Sequence, residues 1–141
     1  MDQDGPFSTF PGMARILTVI DGAGIRLTSN TERLEATHCK PCAFSGDTAF
    51  DSHLIDGPIR NFNLIYDPEF VQASVQLITD AADLGDDLIN DGHGAIYCVA
   101  GSLTLGKTTL PQGYVALFET QPDLPVALSD AAKALLVTLR S

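Results

Sequence analysis

The feature that most restricts what this chain can fold into is its punctuation. Short apolar runs are cut by glycine, proline and aspartate every 8 to 12 residues or so, from Asp4-Gly5-Pro6 to Pro111-Gln112-Gly113. Such runs are too short for core helices and the right length for strands. Where they alternate, as Val71, Ala73, Val75 and Leu77 do with Gln72, Ser74 and Gln76, one face is wet and the other packed. Arg15 to Ile20 is apolar on both parities, which predicts a central strand covered on both sides. The expected class is therefore all-β, a sandwich or barrel.

The chain centres on Phe44 to Tyr66: Phe44-Ser45-Gly46-Asp47, an alternating run Thr48 to Ile55, the turn Asp56-Gly57-Pro58, then Arg60 to Tyr66. This reads as a hairpin-like unit. Phe50 and Leu54 share one face and Asp51 and His53 the other; Asn61, Asn63 and Ile65 lie opposite Phe62, Leu64 and Tyr66. Further strands are expected at Ile25 to Thr28 and around Leu34 to Thr37. A meander follows over Ala95 to Glu119, and a last strand covers Ala134 to Leu139. The aspartate-rich stretch Asp80 to Gly94, with Gly85 at its centre, reads as a solvated connection, and Ser129 to Lys133 allows a helical turn at most. Nothing resembles a linker, so residues 1–141 read as a single domain. Its two pseudo-repeated lobes, about 5–66 and 71–141, would each supply half a jelly roll.

Composition narrows the partners. With 141 residues, 45% apolar and 18% charged, the chain can bury a core without disulfides. A net charge of -10 repels a phosphate backbone, so no nucleic-acid partner is expected. No apolar run approaches the ~18 residues of a membrane span, and Met1-Asp2-Gln3-Asp4 is the opposite of a secretory signal. Three cysteines leave one unpaired in any disulfide scheme, which suits a reducing, cytoplasmic setting.

Candidate chemistry is sparse. His38, His53 and His93 share no ligand spacing, so no metal is expected. Cys39-Lys40-Pro41-Cys42 has redox spacing but no helix after it to lower a thiol pKa, and reads as a loop. On the residues alone Arg15 has two readings. It is a surface arginine paired with a nearby aspartate, or it stands at a barrel mouth on the face of Leu17 and Val19, where its fork would read a carboxylate. Asn61 and Asn63, on one face, would either cap a turn or bind ligand carbonyls and hydroxyls. Asp47 reads chiefly as a turn residue beside Gly46, and His53 with Asp51 as a solvated strand face or an acid–base pair.

Asp4-Gly5-Pro6-Phe7-Ser8-Thr9-Phe10-Pro11-Gly12 with Arg15, then Phe44-Ser45-Gly46-Asp47, then Gly57-Pro58-Ile59-Arg60-Asn61-Phe62-Asn63 resemble three ordered signatures of the HutD/Ves proteins. Asn61 departs from the aspartate common in that family. The resemblance implies a two-lobed cupin, an RmlC-like jelly roll, encoded among bacterial histidine-utilisation genes. Its members bind a small acidic metabolite or limit pathway flux, with no established catalysis. It favours the inward reading of Arg15 and adds Phe10, Asp47 and His53 to Asn61 and Asn63 as candidate ligand-lining residues. It also implies roughly forty upstream residues in family members, so an uncovered sheet edge, and with it a homodimer, is expected here. The expected function is metal-free, cofactor-free binding of a small carboxylated metabolite. The alternatives are a metal-independent isomerase or lyase using His53 with Asp51 or Tyr97, and a pocket-less oligomeric interaction module.

Overall fold

The structure, a computed structural model, describes residues 1–80, 93–118 and 126–140; all statements below concern these. They form fourteen strands and no helix, and so no helix long and apolar enough to cross a membrane. The chain folds as two units, Met1–Glu69 and Phe70–Ser141, each packed chiefly against itself.

The first unit contains β1 (Gly5–Pro6), β2 (Ala14–Asp21), β3 (Gly24–Thr28), β4 (Arg33–Thr37), β5 (Cys42–Ser45), β6 (Asp51–Leu54) and β7 (Arg60–Tyr66). They make two antiparallel sheets, ordered β1-β6-β3-β4 and β5-β2-β7. Leu17 and Val19 of β2, Ile25 and Leu27 of β3, Ala36 of β4 and Phe44 of β5 meet between the sheets, with Phe50 and Ile59. The expectation for β2 holds: it is central, and both its parities are buried, Ile16 and Thr18 as well as Leu17 and Val19.

The hairpin reading of Phe44 to Tyr66 is corrected. β6 pairs with β1 and β3, whereas β7 pairs with β2, so the Asp56-Gly57-Pro58 turn carries the chain from one sheet to the other. Alternation marks a strand and its faces but not its partner, and this turn lacks the two-residue form that closes a tight hairpin. The strand before it is also shorter than the alternating run, Asp51–Leu54 rather than Thr48 to Ile55. Ile59, 3% exposed, plugs the corner into the core.

The second unit holds β8 (Gln72–Ile78), β9 (His93–Ala100), β10 (Ser102–Leu105), β11 (Thr108–Pro111), β12 (Val115–Phe118), β13 (Val126–Leu128) and β14 (Lys133–Arg140). Its sheets are β12-β9-β14-β8 and β11-β10-β13, all antiparallel. Ile78, Ile96, Cys98, Ala134 and Leu136 from the first pack against Leu103, Leu105 and Leu110 from the second. The expected meander is corrected in the same way. Successive β9 and β10 lie in different sheets, and the chain changes sheets at Gly101, whose φ is 71°. The turn after β13 is a single one, closed by Ala132 N–H donating to the Ser129 carbonyl at 3.0 Å. Of the aspartate-rich connection, residues 81–92 lie outside the described residues.

The Asp56–Ile59 corner is held against the β2–β3 link at Gly22. That residue has φ 97°, and an added Cβ would lie 2.5 Å from the Pro58 carbonyl oxygen. Gly22→Ala combines left-handed strain with a backbone clash and should destabilise the protein by about 2–5 kcal/mol. Gly5→Ala, with nothing within 4 Å of the new Cβ, should change stability little. Urea midpoints of the two variants check this.

Candidate functional site

β2 turns Arg15 inward, on the same face as Leu17 and Val19, because residues two apart on a strand share a side. The side chain is not at an open mouth but 4% exposed. Its guanidinium carbon sits 4.8 Å from the Phe7 ring centroid, 4.9 Å from Phe10 and 5.0 Å from Phe44. Phe44 is set by a T-shaped contact with Phe50, at 5.5 Å. Nη1 donates to the Ser8 carbonyl at 2.9 Å. Nε is buried with no hydrogen-bond partner, and no carboxylate lies within 4 Å of the guanidinium among the described residues. The surface reading, an arginine paired with an aspartate, is therefore overturned. Burial lowers the Arg15 pKa, yet a guanidinium stays protonated in proteins. The result is a cation held by ring faces and one carbonyl.

The loop carrying Phe7, Ser8 and Phe10 is locked to the end of β5 by backbone bonds. Phe10 N–H donates to the Gly46 carbonyl, and Gly46 N–H to the Met13 carbonyl, both at 2.8 Å. Asp47 adds a third tie, its Oδ1 accepting Gly12 N–H at 2.8 Å, while its own N–H donates to Ser45 Oγ at 3.1 Å. The turn reading of Asp47 thus extends to a bond across two motifs. Beside this junction lies a cleft of about 350 Å³, lined by Met13, Arg15, Phe44, Asp47 and Tyr66 among others.

The remaining candidates are distributed differently. Asn61 and Asn63 oppose Val19 and Leu17 and so share the face of Arg15, half-buried and exposed respectively, but they do not line this cleft. Phe10 joins the cluster through its ring. His53 does not join it. In β6 the inward position belongs to Ser52, whose hydroxyl donates to the Gly5 carbonyl at 2.7 Å, and this alternation turns His53 out to solvent. Its Nδ1 is 3.6 Å from Asp4 Oδ2, with both side chains more than half exposed. No three His, Cys, Asp or Glu side chains gather in a way that could hold a metal among the described residues. Burial pushes the Cys42 and Cys98 thiols up from their ordinary values, the wrong direction for thiolate chemistry. Phe7, Ser8 and Phe44 stand in the sequence motifs, yet spacing alone did not assign them to the site. Two phenylalanines shortly before the arginine, Phe7 and Phe10, could have signalled a cation–π contact, but nothing local pointed to Phe44.

Two-sheet antiparallel units with inward-facing polar groups at strand ends define a cupin-like β-sandwich protein. The fold is shared with the Cupin 2 conserved barrel domain protein from Leptotrichia buccalis, over 96% of this chain and 77% of that one (TM-score 0.55, 10% identity). The HutD family model matches residues 1–136, and the chain belongs to the HutD family. HutD from Pseudomonas fluorescens SBW25 (Formate condition) is 29% identical, with a TM-score of 0.74, covering 100% of this chain and 76% of that one. An uncharacterized 21.2 kDa protein in the hutC 3' region of Pseudomonas putida is 38% identical over 82 residues, 54% of this chain and 40% of that protein. Protein Ves of Escherichia fergusonii is 29% identical over 110 residues, 76% of this chain and 55% of Ves. The chain thus spans only part of the length of both curated relatives.

At Gly46 an added Cβ would run into the Phe10 carbonyl oxygen and lie 2.8 Å from that of Met13, both backbone. Gly46→Ala should therefore part the loop from β5, cost about 1–3 kcal/mol and speed amide hydrogen exchange at Phe10 and at residue 46. Unchanged exchange there would count against the interlock.

Proposed function

We propose that this chain binds a small carboxylated metabolite at Arg15, without covalent chemistry, in a role that regulates histidine utilisation. The observation that carries this reading is the buried guanidinium with an orphaned Nε and no carboxylate within 4 Å among the described residues. A buried charge left unpaired is costly, and a carboxylate that reaches it would offset that cost with charge-assisted bonds. Ring faces attract the cation but leave its in-plane N–H groups available, so the aromatic cluster and an anion do not compete for the same surface. The placing of one relative in a hutC 3' region supports the pathway assignment. An isomerase or lyase reading, with His53 and Asp51 or Tyr97 moving a proton, draws no support from His53, whose side chain is 52% exposed.

Calorimetric titration with formate and with carboxylated intermediates of histidine breakdown tests the assignment. A bidentate, charge-assisted contact contributes about 1.5–3 kcal/mol, so Arg15→Ala should weaken binding roughly ten- to a hundredfold. Arg15→Lys should recover only part, since an ammonium lacks the planar fork. Added salt should alter the affinity only modestly at so buried a site. Unchanged affinity in a folded Arg15→Ala protein would remove the mechanism.

The homodimer expectation is carried forward on a separate observation. β12 is an edge strand, and Tyr114, Val115 and Leu117 at it are 62%, 47% and 80% exposed. An uncharged apolar edge is what a second copy would cover. Light scattering at micromolar concentration should give twice the 15.0 kDa of one chain, and Leu117→Lys should shift the mass towards the monomer.

A further inference from the structure

Within the second unit, the inner face of the β8–β14 pair changes character along its length. Cross-strand partners on this face run Ala134 with Ile78, Leu136 with Gln76, Thr138 with Ser74, and Arg140 with Gln72. The first rung is fully buried, and Leu136 still belongs to the core cluster. Beyond it every residue is polar. Gln72, Ser74 and Arg140 at this end are exposed and Thr138 is half-buried, whereas the other parity of the same strands stays apolar, with Leu135, Val137 and Leu139 opposite Leu77, Val75 and Ala73, and Leu135 and Val137 buried. The polarity is thus confined to the face that continues the core.

This polar end is also hollow. Gln72, Ala73, Ser74, Thr138 and Arg140 line a recess of about 260 Å³. The neighbour of Thr138 on the other flanking strand is Gly94, which puts no side chain into that rung. The Ser74 and Thr138 hydroxyls are hydrogen-bonded to each other. One hydroxyl of such a pair keeps a proton to donate outward, and the other is held in place by the bond. Arg140 adds a fork of N–H donors, and Gln72 an amide. No carboxylate lies within 4 Å of the Arg140 guanidinium among the described residues.

We propose that this recess is a second anion site, separate from Arg15, which takes a small oxyanion of the carboxylate or phosphate class. Arg140 would bind it bidentately, with the Ser74–Thr138 hydroxyl pair donating from the other side. The inference does not depend on the reading of Arg15, because the two sites use different residues in different units. The only charged group lining the recess, Arg140, is a pure donor, which favours an acceptor-rich anion over a cation. In a chain of net charge -10, a local arginine and hydroxyl cluster is also the kind of place where an anion can still dwell.

The test is residue-resolved NMR of the full chain, titrated with sodium formate and, separately, with inorganic phosphate, against sodium chloride at equal ionic strength. The amides of residues 72–74 and 138–140 and the Arg140 Nε–H should shift saturably with at least one oxyanion and not with chloride. Saturation by formate alone selects a planar carboxylate; saturation by phosphate alone selects a tetrahedral anion. Arg140→Gln should raise the apparent dissociation constant at this recess at least tenfold, Ser74→Ala should raise it severalfold, and Arg140→Lys should recover part of the loss. Arg140 is exposed, so its variants should keep the wild-type spectrum elsewhere. Shifts that fail to saturate, that chloride reproduces, or that survive in Arg140→Gln would overturn the proposal.

Discussion

The first unit depends on one buried positive charge. Arg15 gathers Phe7, Phe10 and Phe44 around its guanidinium and takes the Ser8 carbonyl, so residues from the opening loop, from β2 and from β5 converge on a single group. A desolvated cation over an aromatic face contributes about 2 kcal/mol or more, and here the rings also exclude water from it. An apolar residue in its place could fill the volume, but it would not orient three rings or hold a carbonyl. The arrangement still leaves Nε unsatisfied, which costs the folded state and favours any anion that reaches it. Stability and the proposed binding therefore meet at one side chain.

Around that charge the backbone is closed by close approach rather than by bulk. Gly46 lets the loop carbonyls of Phe10 and Met13 come nearer than any side chain would permit, and Asp47 ties Gly12 from the other direction. Gly22 does the same where the corner after β6 crosses to the second sheet. Such contacts fix the position of loops that carry little apolar surface of their own. They also explain why motifs distant in sequence act as one structural piece.

The two units handle polar groups on the inner face in different ways. In the first, Arg15 is wrapped by aromatic rings and nearly sealed. In the second, the polar rungs of Ser74, Thr138, Gln72 and Arg140 continue the core face outward into an open recess. The difference follows from the surroundings of each guanidinium: phenylalanines in one case, a recess lined with hydroxyls and an amide in the other. A ring can cover a cation without a counter-charge, whereas hydroxyls invite a ligand that accepts hydrogen bonds.

Much of this was legible in the residues. Alternation and turn spacing marked the strands, placed β2 at the centre of its sheet, put Arg15 on the face of Leu17 and Val19, and put Asn61 and Asn63 together on one face of their own strand, because side-chain direction on a strand is a local property with period two. Strand partners were not legible. β6 and β7 look like two arms of a hairpin and belong to different sheets, since pairing is settled by which apolar faces meet and not by adjacency in the chain. The environment of Arg15 was likewise outside the reach of spacing. A carboxylate neighbour and an aromatic enclosure give the same local sequence, and only the approach of a loop some eight residues away to a strand some thirty residues away decided between them.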